Sequence, residues 1–146
     1  AQVKEALDLP EETFRYWRKK FPPLEGKRGY APCFSPGDLL ALKVVVELHT
    51  LGVSASALQA HSTALFKACS RGAWFALQDK ALVLDATGLQ LVGLDEIAGA
   101  GRRTQLVVPL APLIEDLRVR LSDDAPRQTQ AEIAFPPMGV ARGKSQ

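Results

Sequence analysis

Apolar residues recur at three- and four-residue spacing up to about Gly72, and in shorter, partly alternating runs beyond it. That contrast predicts a helical first half and a mixed second half. Val3 to Leu7 has the pattern of the end of a short amphipathic helix. Leu9-Pro10-Glu11-Glu12 reads as the next helix start, because proline is tolerated in a first turn and acids favour the positive end of the helix dipole. This helix is predicted to run to about Lys20, with a basic last turn, and Pro22-Pro23 stops it. Leu24 to Phe34 holds Gly26, Gly29 and Pro32 and is too broken for a helix. Lys27-Arg28-Gly29-Tyr30 is expected at the tip and return of a small hairpin.

Ser35-Pro36-Gly37-Asp38 combines a capping serine, a proline and an acid three residues after the cap, which predicts a helix start. Leu39, Leu42, Val45, Val46 and Leu48 follow at helical spacing, and Gly52 closes that helix. Ser54 is the next cap, with Val53 placed to staple against Leu58. Leu58, Ser62, Leu65, Phe66 and Cys69 continue one stripe to near Gly72. After Gly72, Lys80–Leu84 and Leu89–Val92 flank Asp85-Ala86-Thr87-Gly88, the signature of a β-hairpin. Leu94–Ile97 is ambiguous, Gly99–Arg103 reads as a loop and Gln105–Val108 as a strand. Leu113, Ile114, Leu117 and Leu121 predict a helix over Pro112–Leu121. From Ser122 the pattern fails, and a disordered tail is expected. No internal repeat is visible. The expected class is α+β: a mainly helical domain over residues 1–72, a small hairpin-plus-helix annex over 73–121, and a tail over 122–146.

With 146 residues, 47% of them hydrophobic, the chain can form a packed core. Its net charge of +2 conceals a local asymmetry. Arg15, Arg18, Lys19, Lys20, Lys27 and Arg28 fall within one short segment against a single acid, Glu25. Cys33 and Cys69 are too few and too far apart for a disulfide framework, so reduced thiols are expected. No apolar run approaches the ~20 residues that span a bilayer, and the N-terminus lacks a signal-peptide pattern. The expected location is cytoplasmic and, given the chemistry below, nucleoid-associated, with no membrane partner.

At ~100° per residue, Phe14, Trp17 and Phe21 fall on one side of the second helix. Arg15, Tyr16 and Lys19 fall on the other, flanked by Thr13 and Lys20, with Arg18 at the border. A solvated helix face is the ordinary reading of such a pattern. The neighbouring parts change it. A short helix comes before, a basic hairpin-like loop comes after, and two capped helices follow. That is the order of a helix-turn-helix with a wing, in which the second helix enters the major groove and the wing reaches backbone phosphates. Clustered cations attract duplex phosphates, arginine can pair twice with guanine or phosphate, and tyrosine and threonine hydroxyls can donate to phosphate oxygens.

The same residues carry a family resemblance. Thr13-Phe14-Arg15-Tyr16-Trp17, then Pro22-Pro23-Leu24, Arg28-Gly29-Tyr30 and Phe34-Ser35-Pro36-Gly37-Asp38-Leu39-Leu40 resemble the MerR-type winged helix-turn-helix of bacterial and phage transcription regulators, over about residues 3 to 70. The resemblance implies that Thr13, Arg15 and Tyr16 face DNA from the recognition helix and that Arg28 and Tyr30 belong to the wing. It also implies a mainly packing role for Trp17. Charge alone adds Lys19, Lys20 and Lys27, and Arg18, at the border of the face, completes the candidate set. The chain departs from the family where Ala31-Pro32-Cys33 replaces the arginine expected after Tyr30. It also lacks the long dimerisation helix, so effector sensing, metal sensing and the coiled-coil dimer are not carried over.

Other chemistry is sparse. Cys33, Cys69, His49 and His61 lack close metal-ligand spacing, and neither a metal nor a cofactor is expected. Asp95 and Glu96 are neighbours and cannot converge from one strand, and Asp85 suits a turn. Gly99-Ala100-Gly101-Arg102-Arg103 lacks the end of a phosphate-binding P-loop. No nucleophile, base and orienting group can be named, so an enzyme is not expected. The expectation is a sequence-specific, repressor-like transcriptional regulator that binds double-stranded DNA and self-associates, with residues 73–121 available to a protein partner. The alternatives are a protein-interaction adaptor or antitoxin-like partner on the same scaffold, and an excisionase-like architectural DNA-binding protein.

Overall fold

Ser35 begins the element on which the rest is assembled. In a computed structural model that describes residues 2–24, 34–99 and 104–124, the Ser35 hydroxyl accepts a hydrogen bond from the Asp38 backbone N–H at 3.0 Å. The Asp38 carboxylate accepts from the Ser35 N–H at 3.1 Å. This reciprocal box satisfies two donors that a helix start leaves orphaned. The helix it opens, α3 (Pro36–Thr50), buries Leu40, Ala41, Leu42, Lys43, Val44 and Val45 in unbroken succession. A helix buried all round is a central one, and α1 (Gln2–Leu7), α4 (Ala55–Gln59), α5 (Ser62–Cys69) and α7 (Leu110–Asp124) all pack against it. At its start, a Cβ on Gly37 would collide with the Ser70 side chain and lie 2.8 Å from the Ser70 Cα. Only glycine therefore lets α3 approach the end of α5 so closely.

Before α3 lie α1 and α2 (Glu11–Lys20), then a single 3-10 turn at Pro22–Leu24. The link from α1 to α2 passes through Asp8, whose φ of +56° is a left-handed conformation that aspartate tolerates better than most residues. Gly52, at φ +101°, turns the chain out of α3. Ser54 then caps α4, accepting from the Ala57 N–H at 3.1 Å. The single stripe expected from Leu58 to Cys69 is in fact two helices. The chain breaks at Ala60 and His61, where the Ser62 hydroxyl donates to the Gln59 carbonyl at 2.8 Å. The apolar spacing runs straight through this corner because both helices turn the same side towards α3.

Past α5 comes a helix that the sequence pattern does not predict, α6 (Trp74–Leu77), a single turn whose Trp74 indole N–H donates to the Pro36 carbonyl at 3.0 Å. The hairpin is present as β1 (Lys80–Asp85) and β2 (Gly88–Gly93), with Asp85 opposite Gly88 and Lys80 opposite Gly93. Gly88 supplies the positive φ, +133°. A 3-10 segment, Leu94–Gly99, resolves the ambiguous stretch. Strand β3 (Leu106–Pro109) pairs antiparallel with β1, giving a three-stranded sheet in the order β2-β1-β3. Helix α7 starts at Leu110 and continues to Asp124, so Ser122–Asp124 is helical where a tail was expected. The class is α+β, as expected. The expected basic hairpin, Cys33, residues 100–103 and the tail beyond Asp124 lie outside the described residues.

The two halves share one hydrophobic cluster. Leu82, Leu110, Leu113, Ile114 and Leu117 join Leu7, Phe14, Trp17, Leu40, Val44 and Leu65. Across this junction Lys43, only 6% exposed at its side chain, reaches Asp116 of α7 at 2.6 Å and Glu47 at 3.2 Å. Arg120 adds a second bond to the same Asp116 oxygen at 3.0 Å. A buried ammonium without partners would be strongly unfavourable, so this contact fixes how α7 sits on α3. The hydrogen bond from Lys43, outweighing the opposing effect of burial, holds the Asp116 carboxyl below its ordinary pKa. A carboxylate so shifted stabilises the fold above its unfolded-state value near ~3.9 and loses that effect as pH falls through the lower folded value. Because Asp116 is 40% exposed, Asp116→Ala should destabilise by only about 1–2 kcal/mol at pH 7. The difference from the parent in urea unfolding should close as the pH drops below the ordinary carboxylate range. A deficit that stays constant with pH would make Asp116 a packing residue alone.

Candidate nucleic-acid interface

The inner side of α2 is aromatic. Phe14, Trp17 and Phe21 are buried, and their spacing of three and four residues stacks them on one face. Trp17 meets the Phe21 ring edge-on at 6.1 Å between centroids and meets His49 of α3 at 5.9 Å. Phe14 lies against Phe34, just before α3, at 5.7 Å. These contacts set the rotation of the helix about its own axis.

The outer side follows from that rotation. Arg15, Tyr16 and Lys19 are exposed, while Thr13, Arg18 and Lys20 are half-buried at the flanks. Tyr16 keeps 50% of its surface in solvent, and the Lys20 ammonium lies over its ring at 5.7 Å from the centroid. The Arg18 guanidinium sits 5.9 Å from the Phe14 ring centre, which anchors it at the border. Arg15 donates to the Glu11 carboxylate one turn back at 3.5 Å, with both side chains more than 60% exposed. Such a long, hydrated contact is worth little, so a carboxylate, phosphate or guanine edge in a drier setting competes with it readily.

Beside the last turn of α2 lies an open hollow of about 590 Å³, lined by Arg15, Arg18, Lys19, Lys20, Pro22, Leu24 and Gln59. Four of these seven groups are cations, so the hollow attracts multiply charged anions. On the other flank Thr13, Tyr16 and Glu12 face Ser54, Ala55, Ser56 and His49 across a second hollow of about 430 Å³. Six of the nine residues expected at the interface thus lie together on one helix: Thr13, Arg15, Tyr16, Arg18, Lys19 and Lys20. The other three, Lys27, Arg28 and Tyr30, lie outside the described residues. Two neighbours were not foreseen. Gln59 comes from α4, and no sequence signal distinguishes it from any polar residue on an amphipathic helix. Glu11 was assigned to the first turn alone, although its spacing of four from Arg15 indicates an ion pair.

The remaining candidates have structural surroundings. Burial pushes the Cys69 thiol up to about 12, so it stays protonated and unreactive at neutral pH. The Asp85 carboxylate accepts from the Thr87 N–H at 2.8 Å within the hairpin turn, and Glu96 accepts from the Gly93 N–H at 2.7 Å. Among the described residues no group of three or more histidine, cysteine or acidic side chains could hold a metal ion, and no helix is long and apolar enough to cross a membrane. Comparison of the chain with protein-family models and with the curated proteins finds no match.

The opposed roles of adjacent residues on α2 can be measured. Trp17→Ala should destabilise the protein by roughly 3–5 kcal/mol, and Tyr16→Ala by no more than about 1 kcal/mol, in chemical denaturation. Equal losses for the two would mean that α2 is rotated from the orientation described.

Proposed function

We propose that the chain is a sequence-specific DNA-binding regulator of bacterial or phage type, which acts through a MerR-like winged helix-turn-helix over residues 1–72. The observation that carries this reading is the outward cationic face of α2, held in place by a buried aromatic stripe and continuous with a hollow ringed by Arg15, Arg18, Lys19 and Lys20. Several features support it. α1 and α2 are joined by a short turn through Asp8, Leu9 and Pro10, as the two helices of such a module are. At about 1.5 Å per residue, the ten residues of α2 span about 15 Å, and a helix of this kind enters a major groove about 12 Å wide. Arg15, Thr13 and Tyr16 would face base edges and nearby phosphates, while Lys19, Lys20 and Arg18 would hold the sugar-phosphate backbone at the end of the helix. The expected wing, with Lys27, Arg28 and Tyr30, would extend the contact.

Function on this reading is occupancy of a promoter or attachment site, with repression as the simplest consequence. A single module reads a short half-site, so useful specificity calls for two modules, and a homodimer formed through residues 73–121 is part of the proposal.

Binding to random-sequence duplex should weaken steeply with salt. Three to four phosphate contacts give a log–log slope of about −3 or steeper. Lys19→Ala should weaken binding to every sequence alike and lower the slope by about 1, whereas Arg15→Ala should weaken the specific complex by ~1–3 kcal/mol and relax base preference. No measurable duplex binding at low salt would overturn the DNA reading and favour an adaptor that presents this face to an acidic protein. An equal loss on all sequences for Arg15→Ala would reduce Arg15 to a phosphate contact. Strong, phased bending of the duplex would indicate an excisionase-like architectural role.

A further inference from the structure

We infer that Glu11 is a second base-reading residue, whose carboxylate accepts from the amino group of a cytosine in the base pair next to the guanine taken by Arg15. The inference rests on the proposed placement of α2 in the major groove and names the sequence step that this helix selects.

Three observations meet at Glu11. It is the first residue of α2, and recognition helices touch base edges chiefly with their N-terminal residues. Its side chain is 62% exposed and lies on the same side of the helix as Arg15, which is 63% exposed. The two charged tips are 3.5 Å apart, close to the ~3.4 Å rise between stacked base pairs. An arginine and a carboxylate this close on one side of the helix can therefore address two consecutive pairs, their weak mutual contact giving way as each meets its base.

The chemistry of the groove then selects the partner. A carboxylate entering a phosphate-lined groove is repelled unless it meets a hydrogen-bond donor. The major groove presents two such donors, the amino groups of cytosine and adenine. Beside the adenine amino group stands the N7 acceptor, which repels the second carboxylate oxygen. The cytosine amino group has no acceptor beside it on its own base. Guanine offers Glu11 only acceptors, and thymine an acceptor and a methyl group. Glu11 thus favours cytosine by attraction and disfavours the other bases by repulsion. Glu12, its neighbour, serves the helix dipole equally well but lies on the Tyr16 side of α2 rather than beside Arg15, so its loss separates the effect of first-turn charge from that of the Arg15 neighbour.

Selection from a random duplex pool, run with the parent and with Glu11→Ala, Glu11→Gln, Glu12→Ala and Arg15→Ala, tests this. The parent should enrich a guanine with a cytosine preference at an adjacent pair. Glu11→Ala should lose on the order of fivefold or more of discrimination at the adjacent pair and keep the guanine. Glu11→Gln should shift that pair towards adenine, to which a glutamine amide binds in bidentate fashion, and Glu12→Ala should leave the motif intact. Thermal unfolding of each variant separates a helix defect from a reading defect. A parent motif that Glu11→Ala leaves unchanged would overturn the role of Glu11 while leaving DNA binding in place. Loss confined to the guanine position would also overturn it, making Glu11 only a support for Arg15. A parent that enriches no sequence and binds no duplex would overturn the DNA reading and this inference with it.

Discussion

The insertion of Phe14, Trp17 and Phe21 into the core governs what the molecule presents to solvent. An α-helix that buries one stripe has no rotational freedom left, and each residue beyond the stripe acquires a direction at ~100° per step. With Trp17 seated against Phe21 and His49, Arg15, Tyr16 and Lys19 must point outward. Rotating the helix by a single residue would carry Arg18 from the border into the core, and burying its charge there is strongly unfavourable. The oily stripe therefore specifies the charged one. Any function of the cationic face depends on a packing arrangement that contains no charge.

That seat is itself built by distant parts of the chain. The aromatic stripe rests on α3, and α3 is enclosed by α1, α5 and α7. Helix α7 is registered on α3 by the contact of Lys43 with Asp116. The strands carry α7 to this position, because β3 ends at Pro109 where α7 begins. The C-terminal half thus contributes to the core that orients α2, in addition to any role in assembly.

The local grammar of the chain was largely readable. Ser35 and Ser54 act as the caps their positions indicate, Pro22-Pro23 ends α2, and Gly88 turns the hairpin, because each of these effects is settled within four or five residues. The elements that escaped depend on longer range. The corner at Ala60–His61 carries no glycine or proline, and the apolar stripe passes through it without interruption. α6 is one turn, too short for periodicity to show, and it is held by a bond from Trp74 to Pro36. Lys43 looks like a solvent-facing residue within an apolar run, and its partner lies far along the chain at Asp116. At the candidate interface the six helical positions followed from the wheel, since rotation is a local property. Gln59 did not, because its place depends on how α4 folds back beside α2.

The most direct test of the account is the map of amide chemical-shift changes when a short random-sequence duplex is added to the isotope-labelled protein at low salt. The changes should concentrate on residues 11–20, at Gln59 and at the expected wing residues Lys27, Arg28 and Tyr30, and leave the exposed side of α7 around Arg118 and Val119 and the buried segment Leu40–Val45 nearly unmoved. Changes centred on α7 or the sheet with α2 silent, or no changes at all, would contradict the proposed role of the outward cationic face of α2.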